Sequence, residues 1–584
     1  MPGGNRRCHQ FRVARGRAMD PVIVAGAGPT GLALSLCLAR HGVPVVLLDE
    51  TGDRQDPQPE RTCVLRPETA ALLSRLGYTA VHSDAARWSA WRTVRRRQEI
   101  QRVEFGGDEG PAPLHLPYDR LRRGLREAVA GQELIRMAHG ARLDAIEQDD
   151  DGVDVHTRGA AGTAGPPETW WRGSYLVGCD GPRSTVRKLL KVRFPGRTAV
   201  DRYAVAALRV ELPEPDTALL HRDPPAGRGT EVTARPLPDG VWRLDWSLPR
   251  DHPPLTADAL VARIRGTLAA WCDGTVPPYE LLGSAEYPVH QRLARRWRVG
   301  RAFLAGDAAH LLGALGMQGL EEGLRDAENL AWKLAVGCHQ GASDLLFDSY
   351  QAERRGTVGG RLRAADQALP VLRAGGTWHT VRHSLLSGPV GRHAQLLTDG
   401  HLGRGLLGAP PVYGRSPLAV PAPRGQGAAA WSGLPDSAPP VSPLVGTAVT
   451  PPGALVADVP VTALDGTRDR LHDRLGRDLL AVLVAPGTEV WESRHWLTAG
   501  LMPQLSAAVA ALPLRTELLV TESYPGATAH TVLLVRPDGH LVAAMSGCRP
   551  AELYAYADLA RGGPPRPPEP AHAAARADAD HSAR

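Results

Sequence analysis

Three glycines in Gly26-Ala27-Gly28-Pro29-Thr30-Gly31 have the spacing that phosphate binding needs. Gly26 permits a sharp turn, Gly28 lets backbone approach a pyrophosphate, and Gly31 lets a helix pack closely on the preceding strand. A helix beginning there offers free N–H groups and the positive end of its dipole to the anion. Asp49 lies about 20 residues on, where a carboxylate accepts ribose hydroxyls. Two more aspartates follow apolar runs, Asp180 in Cys179-Asp180-Gly181 and Asp307 in Gly306-Asp307. Alone, each reads as a turn residue capping the next helix. His310 alone reads as a packed or solvent-facing side chain rather than a base. The seven cysteines, Cys8, Cys37, Cys63, Cys179, Cys272, Cys338 and Cys548, are scattered, with no CxxC and no Cys/His ligand spacing. That argues against a metal centre and for a reducing compartment.

The elements that must position these groups come next. Val22-Ile23-Val24-Ala25 reads as a buried strand, and a helix with Leu32, Leu36 and Ala39 on one face follows the glycines. His41-Gly42 closes it, and Val45-Val46-Leu47-Leu48 is a second buried strand ending at Asp49, so the unit is a complete βαβ. Pro117-Tyr118 opens an amphipathic helix through Leu121, Leu125 and Val129. Residues 203 to 249 alternate as strands do, including Val241-Trp242-Arg243-Leu244-Asp245-Trp246. A helix with Leu324, Ala327, Leu330, Ala331 and Leu334 on one side follows the glycines after His310. Near the C-terminus the runs at 479–484, 517–520 and 532–535 read as three buried strands separated by helical stretches.

At 584 residues the chain exceeds what one hydrophobic core usually serves, so at least two domains are expected. The 43% hydrophobic and 22% charged composition is that of a soluble globular protein. The net charge of +6 comes largely from Arg6, Arg7, Arg12, Arg15 and Arg17, in a segment with no acid and no following apolar stretch. Nothing else is basic enough, or suitably interleaved with aromatics, for nucleic acid. Residues 21–39 carry no charge, but Gly26, Gly28, Pro29 and Gly31 break them, so no membrane span is expected and the cytoplasm is the expected location.

Together, the Gly26 to Gly31 run with Asp49, the Asp180 segment and the Gly306-Asp307 segment resemble the three fingerprints of group A flavoprotein monooxygenases, the single-component aromatic hydroxylases. The stretches Asp326-Ala327-Glu328-Asn329-Leu330-Ala331-Trp332-Lys333-Leu334 and Ser349-Tyr350-Gln351-Ala352-Glu353-Arg354-Arg355 are similar to those of actinobacterial aromatic polyketide hydroxylases. The resemblance implies an α/β fold: a Rossmann-like FAD-binding domain, an inserted mixed β-sheet substrate domain, and a C-terminal thioredoxin-like domain without the redox dithiol. The implied boundaries are a disordered extension over 1–18, the FAD-binding domain over 19–190 and 286–400, and the substrate domain over 191–285. A linker over 401–440, the thioredoxin-like domain over 441–562 and a disordered tail over 563–584 complete the chain.

The same resemblance implies roles. Gly26, Gly28 and Gly31 would hold the FAD pyrophosphate, Asp49 the adenosine ribose, and Arg61 would lie near the phosphates, with Pro29, Thr30 and Glu50 among the cofactor-binding residues. Asp180 would serve FAD and the transient NAD(P)H. Asp307 would meet the ribityl or phosphate region and Glu321 would lie next to the flavin ring, with Gly306, Gly319 and Leu320 also among the cofactor-binding residues. The sequence departs from the family at Ala314 (usually proline), at Glu321 (usually asparagine) and at Tyr118 (often a glutamine contacting FAD). Beside a reduced flavin the Glu321 carboxylate would be repelled unless it turned away or took a proton. The implied activity is hydroxylation of a polycyclic, polyketide-derived aromatic with NAD(P)H and O2 through a flavin C4a hydroperoxide, with no catalytic residue named. A Baeyer-Villiger oxygenase on the same scaffold stays open, as does a catalytically silent flavoprotein with an assembly role. A halogenase is disfavoured, since Lys188, Lys191 and Lys333 are the only lysines and none is well placed. A homodimer is an open expectation.

Overall fold

In the computed structural model, the residues described are 11–12, 18–51, 58–107, 111–159, 168–224, 231–248, 252–313, 318–372, 398–399, 401–402, 408–420, 450–488 and 500–563. The expectations for Ala314 and for the 563–584 tail beyond its first residue lie outside them, as does most of the 1–18 extension and of the 401–440 linker.

The glycine run joins the strand Val22–Ala25 to the helix Pro29–Arg40, which starts on a proline, a residue whose fixed φ suits the first helical turn. The strand is wholly buried, and it pairs in parallel with Val45–Asp49 on one side and Tyr175–Gly178 on the other. The full sheet runs Ile135–His139, Val45–Asp49, Val22–Ala25, Tyr175–Gly178, Ala302–Leu304, with Arg298–Val299 antiparallel at the edge. Strand order therefore reverses between Val22–Ala25 and Tyr175–Gly178, and in open α/β sheets the crevice at such a reversal is where ligands bind. All three fingerprint segments leave the carboxyl ends of strands there. The helices Tyr118–Ala130 and Gln318–Gln340 pack against Pro29–Arg40.

A second, eight-stranded sheet is antiparallel except where Thr217–Arg222 pairs in parallel with Ala90–Arg95. It takes in the hairpin Ala90–Arg95 and Gln98–Glu104 from the early part of the chain, and runs through Tyr279–Leu293 to His310–Leu312, so it reaches beyond 191–285 in both directions. One face, with Trp242, Leu244, Trp246, Ala204 and Leu208, packs on Ile264 and Leu268 of the helix Ala257–Trp271.

The C-terminal unit is a mixed six-stranded sheet in the order Arg468–Arg470, Pro460–Ala463, Thr516–Thr521, Leu479–Val484, Thr531–Val535, Leu541–Ser546. The three buried runs read from sequence are strands. The helical stretches expected between them need correction: Met502–Ala510 lies between the first two, but turns and bends alone join Thr516–Thr521 to Thr531–Val535. That connection holds Pro525-Gly526, which suits a turn and not a helix. No helix among the described residues is long and apolar enough to cross a membrane.

Candidate functional site

The crevice is built by backbones that leave no room for side chains. Gly26 has φ +104°, and a β-carbon there would lie 2.5 Å from the Cys179 carbonyl oxygen, so the first and second segments touch. A β-carbon at Gly31 would overlap the Gly26 carbonyl oxygen, which is the close helix-to-strand approach expected of that position. Gly28, by contrast, has nothing within 4 Å of where a β-carbon would stand, so its face is open to a ligand. The third segment joins through Thr30: Gly306, at φ +60°, would drive a β-carbon to 2.7 Å from Thr30 Oγ1, and Gly323 crowds the same oxygen.

Asp180 satisfies both readings of an aspartate after a strand. Its Oδ2 accepts from the Thr185 and Val186 N–H groups at 2.6 and 3.0 Å, capping the helix Thr185–Leu189. Its Oδ1 is buried with no hydrogen-bond partner. A buried carboxylate oxygen left unpaired costs roughly 1–3 kcal/mol or more, so it calls for a donor from outside the chain. Asp307 presents its side chain to solvent across the crevice. Protein nevertheless closes round it enough that lost hydration raises its pKa, against the lowering effects of His310 and Arg61. A β-carbon at Gly319 would stand 3.8 Å from Asp307 Oδ1, which puts the start of the Gln318–Gln340 helix beside it, and Leu320 packs against the core that holds the Val22–Ala25 strand. Arg61 is exposed, with its guanidinium 4.4 Å from the centre of the Tyr118 ring. Tyr118 thus supplies a stacking surface where a glutamine would have supplied an amide.

Two residues sit differently from the simplest expectation. Asp49 is buried and already engaged: Arg126 Nη2 lies 2.9 Å from Oδ2, and Thr51 Oγ1 donates to Oδ1 at 3.0 Å. The exposed carboxylate at the end of that strand is Glu50. Glu321 is 4% exposed, and its carboxylate is already taken up by protein groups. Oε1 accepts from the Arg66 N–H at 2.6 Å and from Thr69 Oγ1 at 3.1 Å, Oε2 pairs with the Arg66 guanidinium, and the acid sits at the N-terminus of the helix Pro67–Arg75. A negative charge is favoured at that end. His310 is fully buried, stacked on Trp297 and bonded through Nε2 to Asp326 at 2.8 Å, so it is a packed histidine.

The second sheet contributes a polar cluster that the sequence reading passed over. Alternation puts Arg243 and Asp245 on the face opposite Trp242, Leu244 and Trp246. Arg243 Nη2 donates to Asp245 Oδ1 at 2.7 Å, Arg235 pairs with the same carboxylate, and the Tyr287 hydroxyl donates to Oδ1 at 3.2 Å. Burial alone would raise the Asp245 pKa, but Arg243 and Arg235 outweigh it and hold it below the carboxylate range. Burial, with Asp245 behind it, pushes the Tyr287 phenol up to about 12. Arg243 Nη1 reaches Thr62 Oγ1 at 3.0 Å, next to Arg61 of the crevice. The same hydroxyl meets His115 Nε2 at 2.8 Å, while His115 Nδ1 donates to the Pro236 carbonyl at 2.8 Å. The signal available in sequence was a pair of charges alternating with tryptophans in one strand. A separate solvent-open cleft, lined by Arg75, Glu328 and His540 among others, lies between the helices Pro67–Arg75 and Gln318–Gln340 and the C-terminal unit.

The unpaired Asp180 oxygen, the open face at Gly28 and the carboxylate of Asp307 fit a dinucleotide with a pyrophosphate and hydroxyls along one edge. The family described as FAD binding domain matches residues 19–364, more than half of the chain. The chain belongs to that family. It is 30% identical over 344 residues to the 3-(3-hydroxy-phenyl)propionate/3-hydroxycinnamic acid hydroxylase of Escherichia coli K12, covering 57% of this chain and 59% of that one. The match thus spans under two-thirds of the relative's length. Among solved structures, the flavin-dependent monooxygenase PieE, in complex with FAD and substrate, superposes with a TM-score of 0.71 at 20% identity, over 93% of this chain and 98% of PieE. RebC, with bound 7-carboxy-K252c, gives 0.66 at 23%, over 93% and 99%. At those identities the likeness is one of fold, and it extends over most of the chain.

Proposed function

We propose that this chain is an FAD-dependent monooxygenase that uses NAD(P)H and O2 to hydroxylate a polycyclic aromatic compound of polyketide type. The observation that carries the reading is the meeting of three distant segments at one strand-order reversal, with Gly28 open, Asp180 Oδ1 unpaired and Asp307 facing the crevice. FAD held there supplies hydride acceptance from NAD(P)H and activation of O2. The chain's own part is to bind and to enclose. Gly26 to Gly31 cradle the pyrophosphate, Glu50 and Asp49 serve the ribose end, and Arg61 balances phosphate charge. Asp180 and Asp307 accept from hydroxyls, with the strength of a charged acceptor. The polar face with Arg243, Asp245 and Tyr287 forms the roof over the aromatic substrate, where guanidinium groups favour a phenolate over a phenol. Support for an aromatic substrate comes from the hydroxylase relative, and for a polycyclic one from the likeness in fold to RebC with its bound 7-carboxy-K252c.

The test is the visible spectrum of the purified chain, followed by NADPH oxidation against a panel of polycyclic phenols. A yellow protein whose NADPH use is stimulated by a phenol, with a product heavier by one oxygen, supports the proposal. Ring expansion of a ketone would reassign it as a Baeyer-Villiger oxygenase. Folded protein that stays colourless after FAD is added sinks it.

A further inference from the structure

The Gly306-Asp307 turn is held by a buried polar network that runs on into the C-terminal unit. Asp326 Oδ2 accepts from the Gly306 N–H at 2.9 Å and from His310 Nε2 at 2.8 Å. Asp326 Oδ1 accepts from Arg354 Nε at 2.8 Å. Arg354 lies in the π-helical turn Gln351–Arg355, and the residue before it, Glu353, is gripped by the C-terminal unit. Arg536 Nη1 and Nη2 donate to the two Glu353 oxygens at 2.7 and 2.9 Å, and Asp538 fixes Arg536 through Nε at 2.9 Å. Asn329 Nδ2 bridges Glu353 Oε2 and Asp538 Oδ2 at 2.7 and 3.0 Å. None of Asp326, Glu353, Arg354, Arg536 and Asp538 is more than 4% exposed.

Such a set is costly to bury and weak evidence of stabilisation by itself, because apolar packing of the same volume often does as well. What it gives is geometry. A bidentate guanidinium–carboxylate pair fixes both distance and plane, and a π turn inserted in a helix is a frequent mark of function. Here one such turn places neighbouring residues in two different grips, Glu353 in that of the C-terminal unit and Arg354 in that of the acid holding Gly306. The left-handed conformation of Gly306 sets the direction of Asp307, so whatever holds Gly306 aims that carboxylate.

We propose that the C-terminal unit is a positioning element of the flavin site: Arg536, acting through Glu353, Arg354 and Asp326, fixes the Gly306-Asp307 turn in the shape that receives FAD. This rests on the FAD reading above. It gives the unit a mechanical task, in keeping with Cys548 being its single cysteine.

The test uses the full chain with Arg536→Gln, and with Arg536→Lys as a gentler change that keeps the charge and loses the two-pronged grip. Amide hydrogen exchange of the FAD-free protein is compared at residues 302–312 and, as a reference, at the hairpin 90–104. FAD dissociation constants and the reduction potential of the bound flavin are measured alongside. Expected are exchange about tenfold faster at 302–312 with the hairpin unchanged, FAD binding weaker by about tenfold (about 1.4 kcal/mol), and a shifted potential. Unchanged exchange and FAD affinity in either folded variant, or equal acceleration in both segments, overturns the proposal. A wild-type chain that binds no FAD overturns the flavin reading, while the contrast between the two segments still decides whether the C-terminal unit holds the turn.

Discussion

Thr30 fills the space that a side chain at Gly306 would need: its Oγ1 stands 2.7 Å from where a β-carbon at 306 would be. The first and third fingerprint segments are therefore fitted to one another even before a ligand is considered. Gly306→Ala should cost about 2 kcal/mol, from the left-handed backbone and the contact together. Thr30→Ala should recover about half of it. A double-mutant cycle by urea denaturation reads the coupling, and additive effects would show that the contact is relieved elsewhere.

Gly28 and Gly31 should separate folding from binding. Gly31→Ala meets backbone and should lower stability by about 2 kcal/mol or more, with flavin content falling too. Gly28→Ala has φ −74° and open space, so its midpoint of thermal unfolding should stay close to wild type. FAD affinity should still fall by about tenfold or more, because the new methyl stands where a pyrophosphate must approach. Equal flavin content in Gly28→Ala and wild type would rule out that approach.

Glu321 is a structural acid. Glu321→Gln leaves the Arg66 guanidinium buried without its counter-charge and should destabilise the chain by about 2–4 kcal/mol. The spectrum and potential of bound flavin should change little. The opposite pattern, a shifted potential at full stability, would put the carboxylate at the flavin ring.

Acid should destabilise the fold through His115. Burial first, and then Arg235 and Arg243, hold its pKa well below 6.5, so it is neutral in the folded chain. The unfolded chain takes up that proton near pH 6.5 and binds more protons below it. Stability is therefore lost as pH falls below about 6.5, by up to about 1.4 kcal/mol per pH unit for this one histidine. Glu353 and Asp538, whose pKa values lie below the carboxylate range, add their own loss under pH 4 or so, where unfolded carboxylates take up protons. The slope of urea midpoints between pH 7 and 5 measures the first effect, and His115→Gln should flatten it.

What could be read in the sequence were features whose cause is local. The Gly26 to Gly31 run is legible because a turn, an approach and a packing contact each demand glycine within a few residues. The Val22–Ala25 and Val45–Asp49 strands are legible because burial on both faces writes a continuous apolar run. What escaped had its cause far away in the chain. The turning of Glu321 toward Arg66 spans 255 residues, and the grip of Arg536 on Glu353 spans 183. The Arg243 and Asp245 pair was visible as letters, but its meaning depends on Thr62 and Tyr287 arriving on the same face. The tie of Asp49 to Arg126 likewise could not be seen without the helix Tyr118–Ala130 in place.

The hairpin Ala90–Glu104 finds its neighbour only in Thr217–Arg222, and the flavin sheet waits for Ala302–Leu304. At about 5–20 residues per second on the ribosome, the hairpin must linger for roughly ten seconds with Trp91 uncovered before its partner emerges. Neither layer can then be cut out as one continuous gene fragment. Attempts to express the FAD-binding part or the eight-stranded sheet alone should give aggregates unless chaperones shelter the waiting strand.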